Sequence, residues 1–505
     1  MKTMTLIKGV KVVNGSGKPP FQAEVLLKDD KIAAIGNFPT KKADLIIDGL
    51  GSYLLPGFID INTDSDHYLS LFTNPAQKDF LAQGVTTIIG GQCGSSLTPL
   101  VYGTLESIRK WTDTNQVNVD WHTVSEFFKA LSRVKLGVNF GTLVGHSTIR
   151  RALVGEEIRK LTAQEIKVFK RLLGEALEQG ALGFSTGLSY AHSRQTPYDE
   201  LKELVDIVAK NNAVYTTHLR DEREGLVAAV NETLKIAHET GAKTVISHLR
   251  PIIGYEKDFD EALRMVNESS SHIEVYFDIY PFDVSIVPVY VFLPLWAQNG
   301  GLEIMNENLK SPSVRERIIK DLAPLHKDNI VIGQAPNAPY WVGKTLGQIA
   351  ENQSLSLPEA LLRIMSVTQL RALLIYKNLN MEFIKKAILG PKSLIASNTA
   401  SLPPQGQGFS EKSQTIKHER FTNTFPKYLR DMENSNVVLE DAVKKITSKP
   451  AEVFKIKNRG LVKEGYFADL VLWKDGKVQA TFVNGQMAYE EGKFMDSPAG
   501  QIIKR

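Results

Sequence analysis

Short apolar runs alternate with amphipathic segments along the middle of the chain. Each run is continuous and rich in β-branched residues, which is typical of a strand buried on both faces. The segments between the runs repeat apolar residues at helical spacing. Residues 162–179 form the clearest predicted helix, with a capping box of Thr162 and Glu165 at its start and Gly180 as its stop. Residues 74–84 are also predicted as a helix, because Asn and Pro open the segment and Gly closes it.

Eight runs of the strand type can be counted, in the order GFIDIN, VTTIIGGQCG, NFGTLVGHS, ALGFSTG, AVYTTH, TVISH, IEVYFDIY and SLIASN. Buried strands that alternate with helices predict an α/β fold with parallel strands, and eight of them predict a TIM-like (β/α)8 barrel. We expect the barrel at residues 56–454. A longer segment at about 286–355 separates the seventh run from the eighth and is predicted to be an insertion on the active-site side.

The two ends of the chain have a different pattern. Residues 1–55 and 455–505 contain short alternating strands with Gly and Asp turns and little helix. Neither end can extend the barrel. The two ends are therefore predicted to pair with each other as one small split β-sandwich domain.

Composition and charge are those of a globular protein and predict neither a nucleic-acid nor a membrane partner. Hydrophobic residues make up 43% and charged residues 23% of the 505 residues, and the net charge is +4, as in an ordinary globular protein. No basic patch predicts a nucleic-acid partner, and no apolar run predicts a membrane partner. Lysines interrupt the N-terminal stretch, which does not resemble a signal peptide. The single cysteine, Cys93, suits a reducing compartment, so we expect a cytoplasmic protein.

Residues that bind metals in other proteins follow three of the predicted strands. Cys93 lies just past the second strand, His218 ends the fifth and His248 ends the sixth. The carboxyl ends of barrel strands meet at the face where active sites form. Thiolate and imidazole are ligands that zinc prefers. The spacing leaves two interpretations open: a zinc site, or a buried cysteine beside hydrogen-bonded structural histidines.

Motifs along nearly the whole chain resemble one family. In order they are LLPGFIDINTDSDHYL, QGVTTIIGGQCGSSLTPL, VGHSTIR, GFSTGLSY, THLRDE, ISHLRP, DIYPF, KHERFTNTFPKYL and AVKKITSKPAEVFKIKNRGLVKEGYFADLVLW. They resemble the N-acyl-D-amino-acid deacylases, or D-aminoacylases, of the amidohydrolase superfamily. The resemblance implies a barrel with a split β-sandwich. It also implies zinc-dependent hydrolysis of the amide bond in a small N-acyl-D-amino acid.

The resemblance assigns the metal positions. It implies one tightly bound Zn2+ on Cys93, His218 and His248. The family's weaker second metal position uses a histidine pair on the first strand, and here Asn62 and Asp64 stand in its place. We therefore expect a single-zinc protein.

The general base is also altered. The family's aspartate after strand eight is matched by Asn398. An amide can orient a water molecule but cannot take up a proton near neutral pH, so an active enzyme needs another proton carrier. Asp64 is the candidate for this role. The alternative interpretation is that Asp64 is a solvated loop residue, like Asp66 and His67 next to it.

Four further residues match positions near the substrate. Arg420 and Tyr280 match residues that hold the carboxylate of the amino acid, and Tyr190 and Arg250 match pocket positions beside them. Arg250 stands where the family has lysine, and a guanidinium can also bind a carboxylate through two hydrogen bonds. The alternative for Arg250 is a surface or stacking residue.

Two classes of function follow from these matches. The first is an active zinc amidohydrolase that deacylates N-acyl-D-amino acids through a divergent proton shuttle. The second is a catalytically degenerate relative that keeps the metal and binds a small acidic ligand. Strand four carries no lysine, unlike the binuclear hydantoinases and dihydroorotases, which argues against a bridged two-metal site. The retained metal ligands and Arg420 favour the enzyme.

Overall fold

A computed structural model describes residues 4–38, 43–270, 272–402, 415–496 and 498–505. Its strands are β1 (Met4–Val12), β2 (Phe21–Lys28), β3 (Lys31–Gly36), β4 (Leu45–Asp48), β5 (Tyr53–Pro56), β6 (Phe58–Asp60), β7 (Val85–Gly90), β8 (Asn139–Gly145), β9 (Gly183–Gly187), β10 (Val214–His218), β11 (Lys243–Ile246), β12 (Val275–Ile279), β13 (Val284–Pro288), β14 (Ile330–Gln334), β15 (Leu373–Lys377), β16 (Ser393–Ile395), β17 (Leu470–Lys474), β18 (Lys477–Val483), β19 (Gln486–Glu490) and β20 (Lys493–Phe494).

The α-helices are α1 (Ser70–Thr73), α2 (Lys78–Leu81), α3 (Val124–Leu131), α4 (His146–Val154), α5 (Ala163–Glu178), α6 (Tyr198–Lys210), α7 (Leu226–Thr240), α8 (Glu256–Asn267), α9 (Gly301–Asn308), α10 (Pro312–Asp321), α11 (Leu346–Asn352), α12 (Leu357–Val367), α13 (Met381–Leu389), α14 (Arg420–Asn434), α15 (Leu439–Ile446) and α16 (Ser448–Val453). Short 3-10 helices lie at Thr114–Gln116, Val289–Phe292, Leu295–Ala297 and Pro339–Trp341. No helix in the described ranges combines the length and the apolar character that crossing a bilayer requires.

Eight of the described strands form one sheet in the order β6, β7, β8, β9, β10, β11, β12 and β16, and all of its neighbours are parallel. Its first and last strands approach each other at their carboxyl ends. Thr63 and Thr399 form a parallel bridge, and the amide of Asn398 donates to the carbonyl of Asn62 at 2.9 Å. The predicted fold class, a TIM-like barrel with a small β-domain from both termini, is confirmed.

The local sequence explains one predicted helix and corrects another. Thr162 and Glu165 form the predicted capping box at the start of α5. The helix predicted over residues 74–84 is wrong, because this segment contains only the single turn Lys78–Leu81. Gln77 has a φ of 50°, in the left-handed region, and this backbone conformation prevents a longer helix from running through it.

Strands from the two ends of the chain pair with one another. The described strands form a sheet in the order β20, β19, β18, β17, β5, β1, β2 and β3, with β4 also paired to β1. The antiparallel pairing of β17 with β5 joins the C-terminal strands to the N-terminal ones. Val25, Leu54 and Phe482 lie in the core of this sheet. The domain boundaries near residues 55 and 455 stay a prediction.

After its seventh strand, β12, the chain leaves the barrel in an excursion that contains strands β13 to β15. Strands β13, β15 and β14 form a separate antiparallel sheet. This sheet and the neighbouring helices enclose a core of their own, which includes Val289, Ile332 and Leu361. The excursion starts from the carboxyl end of β12, so it stands on the side of the barrel where the candidate site lies. The insertion predicted at about 286–355 falls within this region, and its limits stay a prediction.

Candidate active site

Three side chains predicted as metal ligands meet at the carboxyl face of the barrel. Cys93 follows β7, His218 ends β10, and His248 follows β11. One potential ligand atom from each lies within 4.8 Å of the other two, and all three residues are buried. Cys93 Sγ is 3.4 Å from His248 Nε2, and the two imidazole rings are 4.3 Å apart between centroids. The fold therefore brings together residues that are far apart in sequence.

Glu222 orients both histidines. Its Oε2 lies 3.4 Å from His218 Nε2, and its Oε1 lies 3.4 Å from His248 Nδ1. Ser189 Oγ is also 2.7 Å from His218 Nε2. The Ser189 contact favours a proton on His218 Nε2 and leaves a lone pair on Nδ1, whereas His248 Nδ1 makes no hydrogen bond within the described residues and His248 Nε2 lies against Cys93 Sγ. His218 Nδ1 has no hydrogen bond within the described residues. A thiol and two imidazole lone pairs are a donor set that fits zinc.

Burial controls the protonation of this cluster. Burial raises the pKa of the Cys93 thiol well above its usual range, and the charges of Asp64 and Asp278 raise it further. Burial also lowers the pKa of His248 to about 4, with the charge of His218 as the next contribution. A cation is therefore needed at this position to stabilise the thiolate form of Cys93.

Three candidate residues have a backbone conformation that is rare for residues other than glycine. The φ angles are 52° at Cys93, 38° at His248 and 48° at Asn398. All three lie in the turns that directly follow barrel strands. Such conformations persist only where the surrounding structure imposes them, and they are concentrated at functional sites. The backbone thus supports a functional interpretation of these turns.

Asn62 and Asp64, which are predicted to replace a histidine pair, lie just after the first barrel strand β6. Asn62 is buried, and its Nδ2 donates to Asp278 Oδ2 at 3.1 Å. The side chain of Asp64 is 22% exposed, and its Oδ1 lies 3.1 Å from His67 Nδ1. The charge of Asp64 also raises the pKa of Cys93, so its carboxylate lies near enough to affect this predicted ligand electrostatically.

His67 is a residue for which the sequence predicted no role. Its Nδ1 faces Asp64, and its Nε2 lies 3.0 Å from the carbonyl oxygen of Ser95. Both partners are acceptors, so both ring nitrogens carry a proton. Burial opposes this charge, but Asp66 and Asp64 outweigh burial and raise the pKa of His67 to about 9. Asp66 and His67 are buried, so neither is the solvated loop residue that the alternative interpretation describes.

Asn398 lies where the last barrel strand meets the first. Its carbonyl accepts a hydrogen bond from Arg420 Nη2 at 2.8 Å. Its backbone amide donates to Asn62. The side chain is partly exposed and makes no hydrogen bond with the described residues. Its amide is therefore available to a bound water or substrate but cannot carry a proton.

Arg420 and Tyr280, which are predicted to hold a carboxylate, lie against each other and are buried. Arg420 is 1% exposed, and its guanidinium lies 4.2 Å from the centroid of the Tyr280 ring. Arg420 Nη1 donates to the carbonyl of Val284 at 3.1 Å. Within the described residues, Arg420 Nε and the Tyr280 hydroxyl have no hydrogen-bond partner. A buried positive charge with two free donors fits a carboxylate.

The other two predicted substrate residues already have protein partners. Arg250 Nε donates to Glu222 Oε1 at 3.1 Å, its Nη2 also contacts Glu222, and its Nη1 donates to Ser285 Oγ at 3.3 Å. Its charge is thus largely balanced, and its contact with substrate stays a prediction. The Tyr190 ring lies 5.3 Å from the His218 ring, so Tyr190 borders the metal-ligand cluster.

Known proteins have sequences and folds similar to those of this chain. The model of the amidohydrolase family matches residues 384–488. A D-aminoacylase of Alcaligenes xylosoxydans xylosoxydans is 27% identical over 524 aligned residues, which cover 99% of this chain and 97% of the relative. The similarity therefore extends over nearly the full length of both proteins.

Two solved structures are similar to this chain in both sequence and fold. The N-acyl-D-glutamate deacylase of Bordetella bronchiseptica, complexed with zinc and a phosphonate mimic of the tetrahedral intermediate, has a TM-score of 0.79, 26% identity and full coverage of both chains. A D-aminoacylase with a binuclear metal centre has a TM-score of 0.80 and 26% identity over 99% of each chain. The predicted resemblance to the amidohydrolase superfamily is confirmed. Within that superfamily, the similarity is to the N-acyl-D-amino-acid deacylases.

Proposed function

We propose that this protein hydrolyses the amide bond of N-acyl-D-amino acids with one zinc ion held by Cys93, His218 and His248. The observation that carries the proposal is the approach of their ligand atoms to within 4.8 Å at the buried carboxyl face of the barrel. The similarity of the whole chain to a deacylase that is complexed with zinc supports the same function. Zinc bound at this position supplies Lewis-acid polarisation of the scissile carbonyl.

Arg420 and Tyr280 bind the carboxylate of the amino acid in this proposal. The charge of Arg420 is buried, and two donors of the pair are free within the described residues. Arg420 is fixed by the carbonyl of Asn398 and therefore keeps a constant position relative to the site. Holding the carboxylate there orients the scissile amide before any bond changes. Tyr190 and Arg250 border the bound substrate.

Asp64 is the proton carrier in this proposal. One of its oxygens is held by His67, and the other makes no hydrogen bond with the described residues. The carboxylate is partly exposed and lies near enough to Cys93 to affect it electrostatically. Asp64 accepts a proton from the attacking water and passes it to the leaving amine, while the Asn398 amide orients the water. His67 acts as a positioning residue for Asp64.

Asn398 also favours a second candidate function. A protein that lost the aspartate of its family at this position, and the histidine pair at Asn62 and Asp64, can retain the metal and bind a small acidic ligand without turnover. The buried Arg420 and Tyr280 donors serve this function equally well. The two functions differ in whether a metal-dependent hydrolysis rate can be measured.

The test is the hydrolysis of a panel of N-acetyl-D-amino acids by the zinc-loaded protein. Asp64→Asn is expected to lower kcat by about 10²–10⁴-fold, because it removes the proton carrier and keeps the shape. Cys93→Ala is expected to lose both turnover and bound zinc, measured by metal analysis. The matched control is Asp328→Asn, at an exposed position that has no partner within the described residues.

Three outcomes separate the candidates. Metal-dependent turnover that is lost in Asp64→Asn supports the proposed enzyme and its shuttle. Turnover that appears only in an Asn398→Asp variant supports the binding protein, because the pocket is then intact and lacks only its base. Absence of turnover in both the wild-type protein and the Asn398→Asp variant contradicts the proposed substrate class.

A further inference from the structure

Asp79, on the short helix α2, binds two chain segments that follow the last barrel strand. The first segment runs from Asn398 to Leu402, and the second from Lys417 to Arg420. Each segment carries a residue of the proposed site, Asn398 in the first and Arg420 in the second. Asp79 therefore contacts both of the segments on which these two residues lie.

Three hydrogen bonds join Asp79 to the first segment. Its Oδ2 accepts from the backbone amide of Leu402 at 3.1 Å and from Ser401 Oγ at 3.2 Å. Its own backbone amide donates to Ser401 Oγ at 3.3 Å. Asn74, just before α2, also donates from its Nδ2 to the carbonyl of Ser401 at 3.2 Å. The end of the first segment is thus fixed against the loop that follows β6.

An ion pair joins Asp79 to the second segment. Lys417 Nζ lies 2.8 Å from Asp79 Oδ2 and 3.0 Å from its Oδ1, and it also donates to the carbonyl of Leu402 at 2.9 Å. The side chains of Asp79 and Lys417 are only 13% and 28% exposed. A partly buried pair is screened less by salt than a surface pair. The pair therefore holds the ends of the two segments together.

The two segments also meet at the proposed site. Arg420 Nη2 donates to the carbonyl of Asn398 at 2.8 Å. Arg420 closely follows Lys417 along the chain, and Asn398 closely precedes Leu402. The contacts at Asp79 and at Arg420 therefore close the two segments into one ring. A change at Asp79 opens this ring on the side opposite Arg420.

The start of α14 is tied to the same loop. Gln83 is buried, and its Nε2 donates to the carbonyl of Asp79 at 3.1 Å and to that of Phe421 at 3.0 Å. Phe421 directly follows Arg420 in α14. The backbone on both sides of Arg420 is thus held by the loop that carries Asp79.

We propose that Asp79 is a positioning residue that, through Lys417, sets the place of the Arg420 guanidinium. In the part of the chain that the structure describes, Asp79 makes no hydrogen bond or ion pair with Arg420 or with the predicted metal ligands. Its effect is therefore on carboxylate binding and not on the metal. This inference rests on the proposed function, since it takes Arg420 as the group that holds the carboxylate of the amino acid.

The test uses two probes that differ only in the group that Arg420 is proposed to bind. N-acetyl-D-alanine carries the carboxylate, and N-acetyl-D-alaninamide carries a neutral amide in its place. The readout is the ratio of kcat/KM for the acid to kcat/KM for the amide in the zinc-loaded protein. Where neither probe turns over, the ratio of calorimetric affinities replaces it. The wild-type ratio is expected to be about tenfold or more, the range for a hydrogen bond to a charged group.

Asp79→Asn is expected to lower this ratio severalfold, because it keeps the shape of the side chain and removes the charge that binds Lys417. The loss is expected in KM for the acid, while kcat and the amount of bound zinc stay close to those of the wild type. Lys417→Met is expected to have the same effect. Lys417→Arg keeps the ion pair and is expected to keep the ratio.

Lys243→Met is the matched control. Lys243 begins β11, at the amino end of a barrel strand and so away from the site, and its Nζ lies 3.0 Å from Glu274 in a partly buried ion pair. This variant is expected to leave the acid-to-amide ratio unchanged. It therefore separates an effect on the carboxylate site from the loss of an ion pair in general.

The outcomes distinguish this inference from the proposed function. If Asp79→Asn weakens both probes alike, the ratio is unchanged and the inference is overturned while deacylation stands. A wild-type ratio near one overturns it too, because Arg420 then does not hold the carboxylate. A ratio in affinity that depends on Asp79, without hydrolysis of either probe, supports the inference and contradicts the deacylase function. If neither probe binds or turns over, the inference fails as well.

Discussion

At the residue scale, the turn after the first barrel strand places polar side chains beside the predicted metal ligands. Asp64, which is predicted to replace a metal-binding histidine, contacts His67. Asn62 donates to Asp278 and stays buried. Asn62 and Asp64 therefore belong to two separate polar contacts, one with Asp278 and one with His67. The charge of His67 is stabilised by its contact with Asp64 and by the nearby charge of Asp66.

His67 makes stability depend on pH. Its pKa is raised from 6.5 to about 9 in the folded protein. The folded state therefore binds its proton more tightly than the unfolded state. The resulting stabilisation, up to about 3 kcal/mol, is fully present below about pH 6.5 and is lost as the pH rises through about 9. Denaturant unfolding at pH 6, 7.5 and 9 measures this loss.

The His67→Phe variant provides the comparison. It keeps an aromatic ring next to Trp111 but removes the titrating group. We expect its free energy of unfolding to lack the decline between pH 6.5 and 9. His238→Phe, at an exposed position on α7, is the control and is expected to follow the wild-type profile. A decline of the same size in His67→Phe would show that another group causes it.

Helices and strands were predictable wherever their signals are local. The capping box of Thr162 and Glu165 fixes the start of α5, as the sequence predicts. The helix predicted over residues 74–84 failed because Gln77 takes a left-handed conformation that no local pattern reveals.

Contacts between separate strands, helices and loops could not be predicted from the sequence. Cys93, His218 and His248 could be predicted as ligands because each lies at a strand end and because the family motifs match. Glu222 could not, since its importance arises from the side chains of other loops that lie against it. Burial and pairing of that kind depend on the tertiary structure and leave no periodic pattern in the sequence.

The capping box can be tested at the level of the helix. Thr162→Ala removes the side-chain oxygen that accepts the amide hydrogen of Glu165. We expect a loss of about 1 kcal/mol in the free energy of unfolding, since the first turn of α5 then has an unsatisfied donor. Thr104→Ala, at an exposed loop position, is the control. An equal effect of both substitutions would contradict a specific role for the cap.

At the scale of the whole molecule, a buried polar network joins the terminal sheet to the barrel. Arg459 contacts Asp469 and donates to Asn484 Oδ1 at 2.8 Å. Asp469 accepts from Asn139 Nδ2 at 3.1 Å, and Asn139 begins barrel strand β8. The ion pair is nearly inaccessible to water, with exposures of 2% and 3%. The position of the terminal sheet on the barrel therefore depends on polar as well as apolar contacts.

Breaking this network should destabilise the protein strongly. Arg459→Met leaves the Asp469 carboxylate buried without its charge partner, and we expect a loss of about 3–5 kcal/mol in the free energy of unfolding. Arg264→Met, which breaks exposed ion pairs on α8, is the control and should have little effect. Unfolding in urea measures both variants. A small effect of Arg459→Met would mean that the network is not needed to hold the two parts together.

The pairing of β17 with β5 has a consequence for the order of events during synthesis. Strand β5 leaves the ribosome before the barrel, but its partner β17 follows only after the last barrel helix. Until then, one edge of β5 has no strand beside it while the long central region is made. Non-local pairing of this kind slows folding and leaves an unpaired edge that other chains can bind. The nascent protein is thus most prone to aggregation just before its final strands emerge.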